Sequence, residues 1–201
     1  MNKLILTLLV LSFAVISCRP SQNITRIDPG TQTDLSGKWN DTDARLVAQE
    51  MIPDALSKAW LRNFKNNHQK PPTIIVGNVR NESMEHIDTE VFTKEMERVF
   101  VNSGDITVVA SRDEREQLRD ERIDQQRWAT EESTRALARE LGADFMLIGN
   151  INSIVDEAID RRTLAVFYTI NLELVDIESN VKVWIGNKKI KKYIERRNYR
   201  G

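Results

Sequence analysis

The sequence predicts an α/β domain with a mixed sheet of about five strands flanked by helices. Three observations favour this fold. Apolar residues recur at helical spacing in the first half of the chain, and short β-branched runs separate these helical segments. Long alternating strands then fill the second half, and a tight turn joins the last two as a hairpin. Helices on one or both faces of a mixed sheet satisfy this order.

The first helical segment begins near Asp43, where Asp41 or Thr42 can cap it. Pro53 interrupts the helical pattern, which predicts a kink or two abutting helices with Pro53 in the first turn of the second. The apolar residues that define the pattern are Leu46, Val47, Met51, Ile52, Ala55, Leu56, Ala59, Trp60 and Phe64.

Two further helices have recognisable ends. Asp88 caps one helix, which Gly104 terminates. Ser111 and Glu114 form an S-x-x-E capping box that opens a highly charged helix reaching residue 126. Another helix is predicted over residues 131–141, and strands are predicted over residues 73–79, 106–109, 145–155, 166–174 and 181–185.

The first 18 residues have the pattern of an exported lipoprotein. A short positive start is followed by an apolar run over residues 4–16, then by the small Ser17 and by Cys18, the only cysteine. This arrangement resembles a bacterial lipobox, in which the cysteine is acylated and the preceding peptide bond is cut. An ordinary secretory signal that contains a cysteine is the alternative.

The length of the apolar run predicts removal rather than membrane spanning. Its 13 residues fall short of the roughly 18 needed to cross a bilayer. We therefore expect a mature chain that starts at Cys18 and is anchored by acyl chains such as palmitate. Arg19 stands where an Asp would signal inner-membrane retention in enterobacteria, which favours the outer membrane, facing the periplasm. The predicted organisation is a signal peptide over 1–17, a flexible tether over 18–36, one α/β domain over 37–192 and a basic tail over 193–201.

Composition and motifs argue against several functional classes. The formal net charge of −1 is balanced, which argues against nucleic acid as a partner. The chain has no phosphate-binding glycine loop and no nucleophile elbow, and its two histidines are too few for a zinc site. We therefore predict no enzyme activity, no metal and no cofactor.

The last twenty residues are strongly basic. Such a segment can bind anionic lipid or a polyanion, or its lysines can guard an edge strand that runs into a frayed tail. Its basic residues are Lys182, Lys188, Lys189, Lys191, Lys192, Arg196, Arg197 and Arg200, against the single acidic Glu195.

Three segments together resemble one family. They are DLSGKWNDTDAR at 34–45, GADFMLIG at 142–149, and YTINLELVD at 168–176 continuing to Val183 and Trp184. With the lipobox, they are similar to the outer-membrane lipoproteins of the LpoB type, which activate class A penicillin-binding proteins. The resemblance spans residues 34 to about 192. It implies a compact α/β domain like the amino-terminal domain of TolB, on a lipidated tether, that stimulates a peptidoglycan synthase without catalysis.

The tether departs from the family pattern. Enterobacterial members have a long, proline-rich tether, whereas residues 19–36 reach only about 60 to 70 Å when fully stretched. An envelope assembly or structural lipoprotein of a secretion or surface complex is therefore the alternative function. A hydrolase whose site the sequence does not reveal is the third.

The predicted docking surface surrounds Trp39, Asn40 and Asp41. A tryptophan in a polar stretch just before a helix is either a hydrophobic staple onto the core or an exposed anchor for a partner. The neighbouring Asp and Thr residues serve the helix start, which favours the staple.

Overall fold

A computed structural model of the protein describes residues 24–126, 142–159 and 162–195. The helices and strands lie in one compact unit that begins at Gln32. Before it, Asp28 accepts hydrogen bonds from the backbone N–H groups of Gly30 and Thr31. The elements are α1 (Asp41–Leu56), α2 (Ala59–His68), β1 (Thr73–Glu82), α3 (Thr89–Ser103), β2 (Thr107–Val109), α4 (Arg112–Gln126), β3 (Phe145–Glu157), β4 (Thr163–Asp176) and β5 (Lys182–Glu195).

The five strands form one mixed sheet in the order β2-β1-β3-β4-β5. The strands β2, β1 and β3 are parallel, whereas β3, β4 and β5 are antiparallel neighbours. The predicted α/β fold with a mixed five-stranded sheet and flanking helices is confirmed. The hairpin between β4 and β5 is also confirmed, and its turn places Asn180 in the left-handed region, with φ of 60°.

One face of the sheet builds the core. Side chains alternate across a strand, so every second residue of β4 points to the same face. Six such residues are buried against α1, α2 and α3, which supply Ile52, Trp60, Phe92 and Met96. The buried set on β4 is Leu164, Val166, Tyr168, Ile170, Leu172 and Leu174.

Two details of the first helix differ from the prediction. Asn40, not Asp41 or Thr42, caps α1: its side chain accepts from the Asp43 N–H while the Asp43 carboxylate accepts from the Asn40 N–H. Pro53 lies inside α1 rather than in the first turn of the next helix. The break follows Leu56, where the Trp60 indole N–H donates to the carbonyl of Ala55, five residues earlier, at 2.7 Å.

The other helix ends agree with the sequence. Asp88 caps α3, Gly104 ends it with φ of 70°, and Ser111 with Glu114 forms the capping box of α4. The helix predicted over 131–141 lies outside the described residues. Within the described ranges, no helix has the length and apolar character needed to cross a membrane.

The last three strands are longer than the sequence pattern indicated. β1 ends at Glu82, opposite Asn152, while β3, β4 and β5 continue together beyond that point. We call this continuation the extension; it comprises residues 153–157, 163–168 and 190–195. β5 therefore runs three residues into the segment that was predicted to be a basic tail.

Candidate docking site

Trp39 packs onto the core at the point where the chain enters the domain. Its ring is half-buried and meets two buried aromatic rings edge-on, Phe92 at 5.9 Å and Tyr168 at 5.7 Å between centroids. Edge-to-face geometry at this distance is the favourable arrangement for aromatic pairs. The position is that of a hydrophobic staple.

Glu85 joins three parts of the fold through its two carboxylate oxygens. Tyr168, fully buried on β4, donates its hydroxyl to one oxygen at 2.6 Å. The backbone N–H of Trp39 donates to the other at 3.1 Å. Burial and the neighbouring Glu85 carboxylate raise the pKa of Tyr168, so its hydroxyl stays protonated and remains a donor. The loop after β1 is thereby connected to β4 and to the segment before α1.

A buried lysine on β5 fixes the same segment from the other side. The Lys192 ammonium donates to Asp34 at 2.8 Å, to Asp43 at 2.6 Å and to the Lys38 carbonyl at 2.9 Å. An ammonium group has three N–H donors, so each has an acceptor. The Lys192 side chain is only 9% exposed. We call Lys192 and these three acceptors the Lys192 cluster, and residues 34–43 the entry segment.

Burial and hydrogen bonding shift the pKa values of the three ionisable groups in the Lys192 cluster. Burial disfavours the charge on Lys192, but the hydrogen bonds to Asp34 and Asp43 outweigh burial and raise its pKa. The hydrogen bonds from Lys192 and from the Asn40 amide hold the pKa of Asp34 below its ordinary value. Burial raises the pKa of Asp43, while the bond from Lys192 opposes that rise.

The predicted docking residues have three different environments. Trp39 is committed to the core, and Asn40 caps α1 while its amide nitrogen donates to Asp34 at 2.8 Å. Asp41 is exposed in the first turn of α1. Cys18, the predicted lipidation site, lies outside the described residues. Of the three docking candidates, Asp41 offers the most accessible side chain, next to the exposed Lys38.

Sequence reasoning missed the partners of the entry segment. The burial of Lys192 could have been predicted from the strand pattern. Lys192 lies eight residues after Trp184 on β5, so its side chain points to the same core-facing side. Glu85 and Asp34 are polar residues in polar stretches, and no local pattern marks them. No metal-binding cluster of His, Cys, Asp or Glu occurs among the residues that the structure describes.

The comparisons with known proteins point to one family. The family model described as peptidoglycan-synthase activator LpoB matches residues 43–190. No curated protein sequence matches the chain significantly.

Several solved structures are similar at low sequence identity. The C-terminal domain of LpoB from Escherichia coli is 16% identical with a TM-score of 0.46, and the alignment covers 75% of this chain and 99% of that chain. The corresponding domain from Salmonella enterica is 14% identical with a TM-score of 0.43 and the same coverage. The lipoprotein GNA1162 from Neisseria meningitidis is 16% identical with a TM-score of 0.39, covering 64% of this chain and 88% of that chain.

Replacing Trp39 with Ala should lower the stability of the domain. The substitution removes two aromatic contacts and leaves a gap above Phe92 and Tyr168, which we expect to cost about 2 kcal/mol or more. Thermal unfolding measures the change, with Leu35→Ala, whose side chain is 93% exposed, as the control. An unchanged melting temperature together with weaker partner binding would show that Trp39 is an exposed anchor instead.

Asp34 should contribute to the loss of stability in acid. Because the pKa of Asp34 is lower in the folded state, its contribution is present above the ordinary value of 3.8 and is lost as pH falls through the folded-state value. The Asp34→Asn variant should therefore be less stable at neutral pH and lose less stability on acidification. Denaturant unfolding between pH 7 and about pH 3 measures this, with the exposed Asp156→Asn as the control. Identical acid profiles for wild type and Asp34→Asn would contradict the prediction.

Proposed function

Because this chain belongs to the LpoB family of peptidoglycan-synthase activators, we propose that it is a lipid-anchored protein that binds and activates a class A penicillin-binding protein. The observation that carries the proposal is the family match over residues 43–190, about three quarters of the chain. It bears out the resemblance predicted from the three sequence segments. In this role the domain acts by docking on a synthase and performs no chemistry of its own.

The proposed anchor is Cys18 in its lipobox. Acylation there would hold the protein on the periplasmic face of the outer membrane after removal of residues 1–17. Asp34 already belongs to the Lys192 cluster, so the part of the chain between lipid and domain comprises residues 18–33. This stretch reaches roughly 55 Å at most.

The proposed docking surface includes the exposed part of the entry segment, around Lys38 and Asp41. The entry segment is held to the core by Trp39 and to β5 by Lys192, so its backbone is ordered before a partner arrives. A surface that is already ordered loses less conformational entropy on binding. Trp39 and Asn40 are partly buried, so they would hold this surface in place and contribute little contact area with the partner.

The short reach of residues 18–33 favours a second candidate, an envelope assembly or structural lipoprotein. Affinity purification of the lipidated protein separates the two candidates. Recovery of class A synthases favours activation. Recovery of outer-membrane assembly components without a synthase favours the second candidate.

The Cys18→Ala protein should accelerate glycan polymerisation by the class A synthase of the same organism in vitro. It should fail to support the synthase in cells, because the lipid sets position and the domain supplies the contact. The measurement is polymerisation of lipid-linked precursor with the folded protein, with heat-unfolded protein as the control.

Fractionation and labelling with a palmitate analogue complete this experiment. Wild type should carry the label and the Cys18→Ala protein should not. An unlabelled wild type would contradict lipid anchoring. No binding to the synthase and no change in polymerisation rate would contradict the activator function.

A further inference from the structure

The last strand leaves one side of its backbone available. β5 has 14 residues, stands at the edge of the sheet, and pairs with β4 alone among the described strands. An edge strand presents a row of N–H and C=O groups that can pair with another extended chain. α1 and the entry segment contact the core-facing side of β5, through Lys188 with Glu50 and through Lys192.

The opposite face of the extension is apolar and exposed. Ile154, Phe167 and Lys191 are registered neighbours across β3, β4 and β5, and Ala165 with Tyr193 forms the next row. Ile154 and Tyr193 are each 68% exposed. Large apolar side chains that cluster in the open mark interaction sites more often than isolated ones do.

The lysines of β5 divide into two groups. Lys182, Lys188 and Lys192 each pair with a carboxylate of the domain. In the part of the chain that the structure describes, Lys189 and Lys191 have no carboxylate partner, and both are exposed on the same face as Tyr193.

The surroundings of the two lysines leave their charges available. The Lys191 ammonium lies 4.7 Å from the centre of the Phe167 ring. Within the extension, the carboxylates on this face are Asp156, two strands away on β3, and Glu195 at the end of β5. Elsewhere on the same face of the sheet, Glu173 pairs with Lys182 and Glu82 accepts from the Asn150 amide. Lys189 and Lys191 thus lie beside a backbone edge that no described strand pairs with, and next to an apolar strip made of Ile154, Phe167 and Tyr193.

We propose that this edge and face bind an extended acidic segment of a partner protein, which adds next to β5 as a sixth strand. Backbone hydrogen bonds along β5 would supply affinity. Carboxylates of the added strand would lie near Lys189 and Lys191, and its apolar side chains would pack on Tyr193. We call Lys189, Lys191, Tyr193 and the β5 edge the β5 surface.

Charge selects this occupant over the alternatives. Two copies of β5 side by side would bring their lysines together, so the lysines oppose self-pairing. The headgroups of anionic lipids would bind the two lysines but would not form backbone hydrogen bonds with the β5 edge. An acidic strand uses the lysines, the apolar strip and the edge together. The proposal goes beyond synthase activation, because it concerns a different surface from the entry segment.

The test uses an acetylated and amidated peptide of eight residues, Val-Thr-Glu-Thr-Glu-Thr-Val-Thr, which presents two Glu and two Val on one face of a strand, and a control peptide with Lys in place of Glu. Nuclear magnetic resonance of the ¹⁵N-labelled protein reports binding. We expect saturable shifts of the β5 amides with the acidic peptide, slower hydrogen exchange along β5, and no saturable shifts with the basic peptide.

The double variant Lys189→Glu/Lys191→Glu should weaken peptide binding roughly tenfold or more, and Tyr193→Ser should also weaken it. The single variants Lys189→Glu and Lys191→Glu are each compared with Arg62→Glu on α2 as the charge-matched control, since the exposed Arg62 side chain belongs to the helical layer. Unchanged melting temperatures establish that the variants are folded.

Four results would overturn the proposal. They are no saturable β5 shifts with the acidic peptide at about 1 mM, equal responses to both peptides, shifts confined to the helices, or unchanged affinity in the double variant. Binding of phosphatidylglycerol vesicles that depends on Lys189 and Lys191, without peptide binding, would assign the surface to lipid instead. Dimerisation through β5 that excludes the peptide would assign it to a second copy.

Discussion

The buried ammonium of Lys192 determines where the entry segment lies on the domain. A charge removed from water is tolerated only when it is paired and its hydrogen bonds are satisfied. All three acceptors come from the entry segment: Asp34, the Lys38 carbonyl and Asp43. Because Lys192 lies on β5, the entry segment has to pass across this strand to reach it. This path places Trp39 on the core.

The same crossing explains two neighbouring features. Gly37 has a φ of 70°, and a Cβ at this position would collide with Ile194 of β5, so the close approach of the segment requires glycine. The entry segment also covers the core-facing side of the extension, whereas Ile154 and Tyr193 on the other side stay exposed. Among the described residues, the chain thus covers one face of the extension itself, while the opposite face and the β5 edge form the surface that we propose for a partner strand.

Much of the fold could be predicted because its signals are local. The alternation in β4, the cap at Asp88 and the capping box at Ser111 depend on residues close in sequence. Two missed details of α1 were also local, because Asn40 forms its capping box with Asp43 three residues away and the Trp60 indole bonds to Ala55 five residues earlier. The missed bonds that depend on distant residues are those of Lys192 to Asp34 and Asp43. Polar residues that join segments more than a hundred positions apart leave no periodic trace in a single sequence.

A double-mutant cycle between Lys192 and Asp43 tests the account most directly. The free energy of unfolding would be measured for wild type, Lys192→Met, Asp43→Asn and the double variant. If the Lys192 cluster fixes the entry segment, the two substitutions will be coupled by about 1 kcal/mol or more, and the double variant will be more stable than the sum of the single effects predicts. A coupling energy near zero would show that Lys192 and Asp43 act independently and would contradict the central role of the cluster.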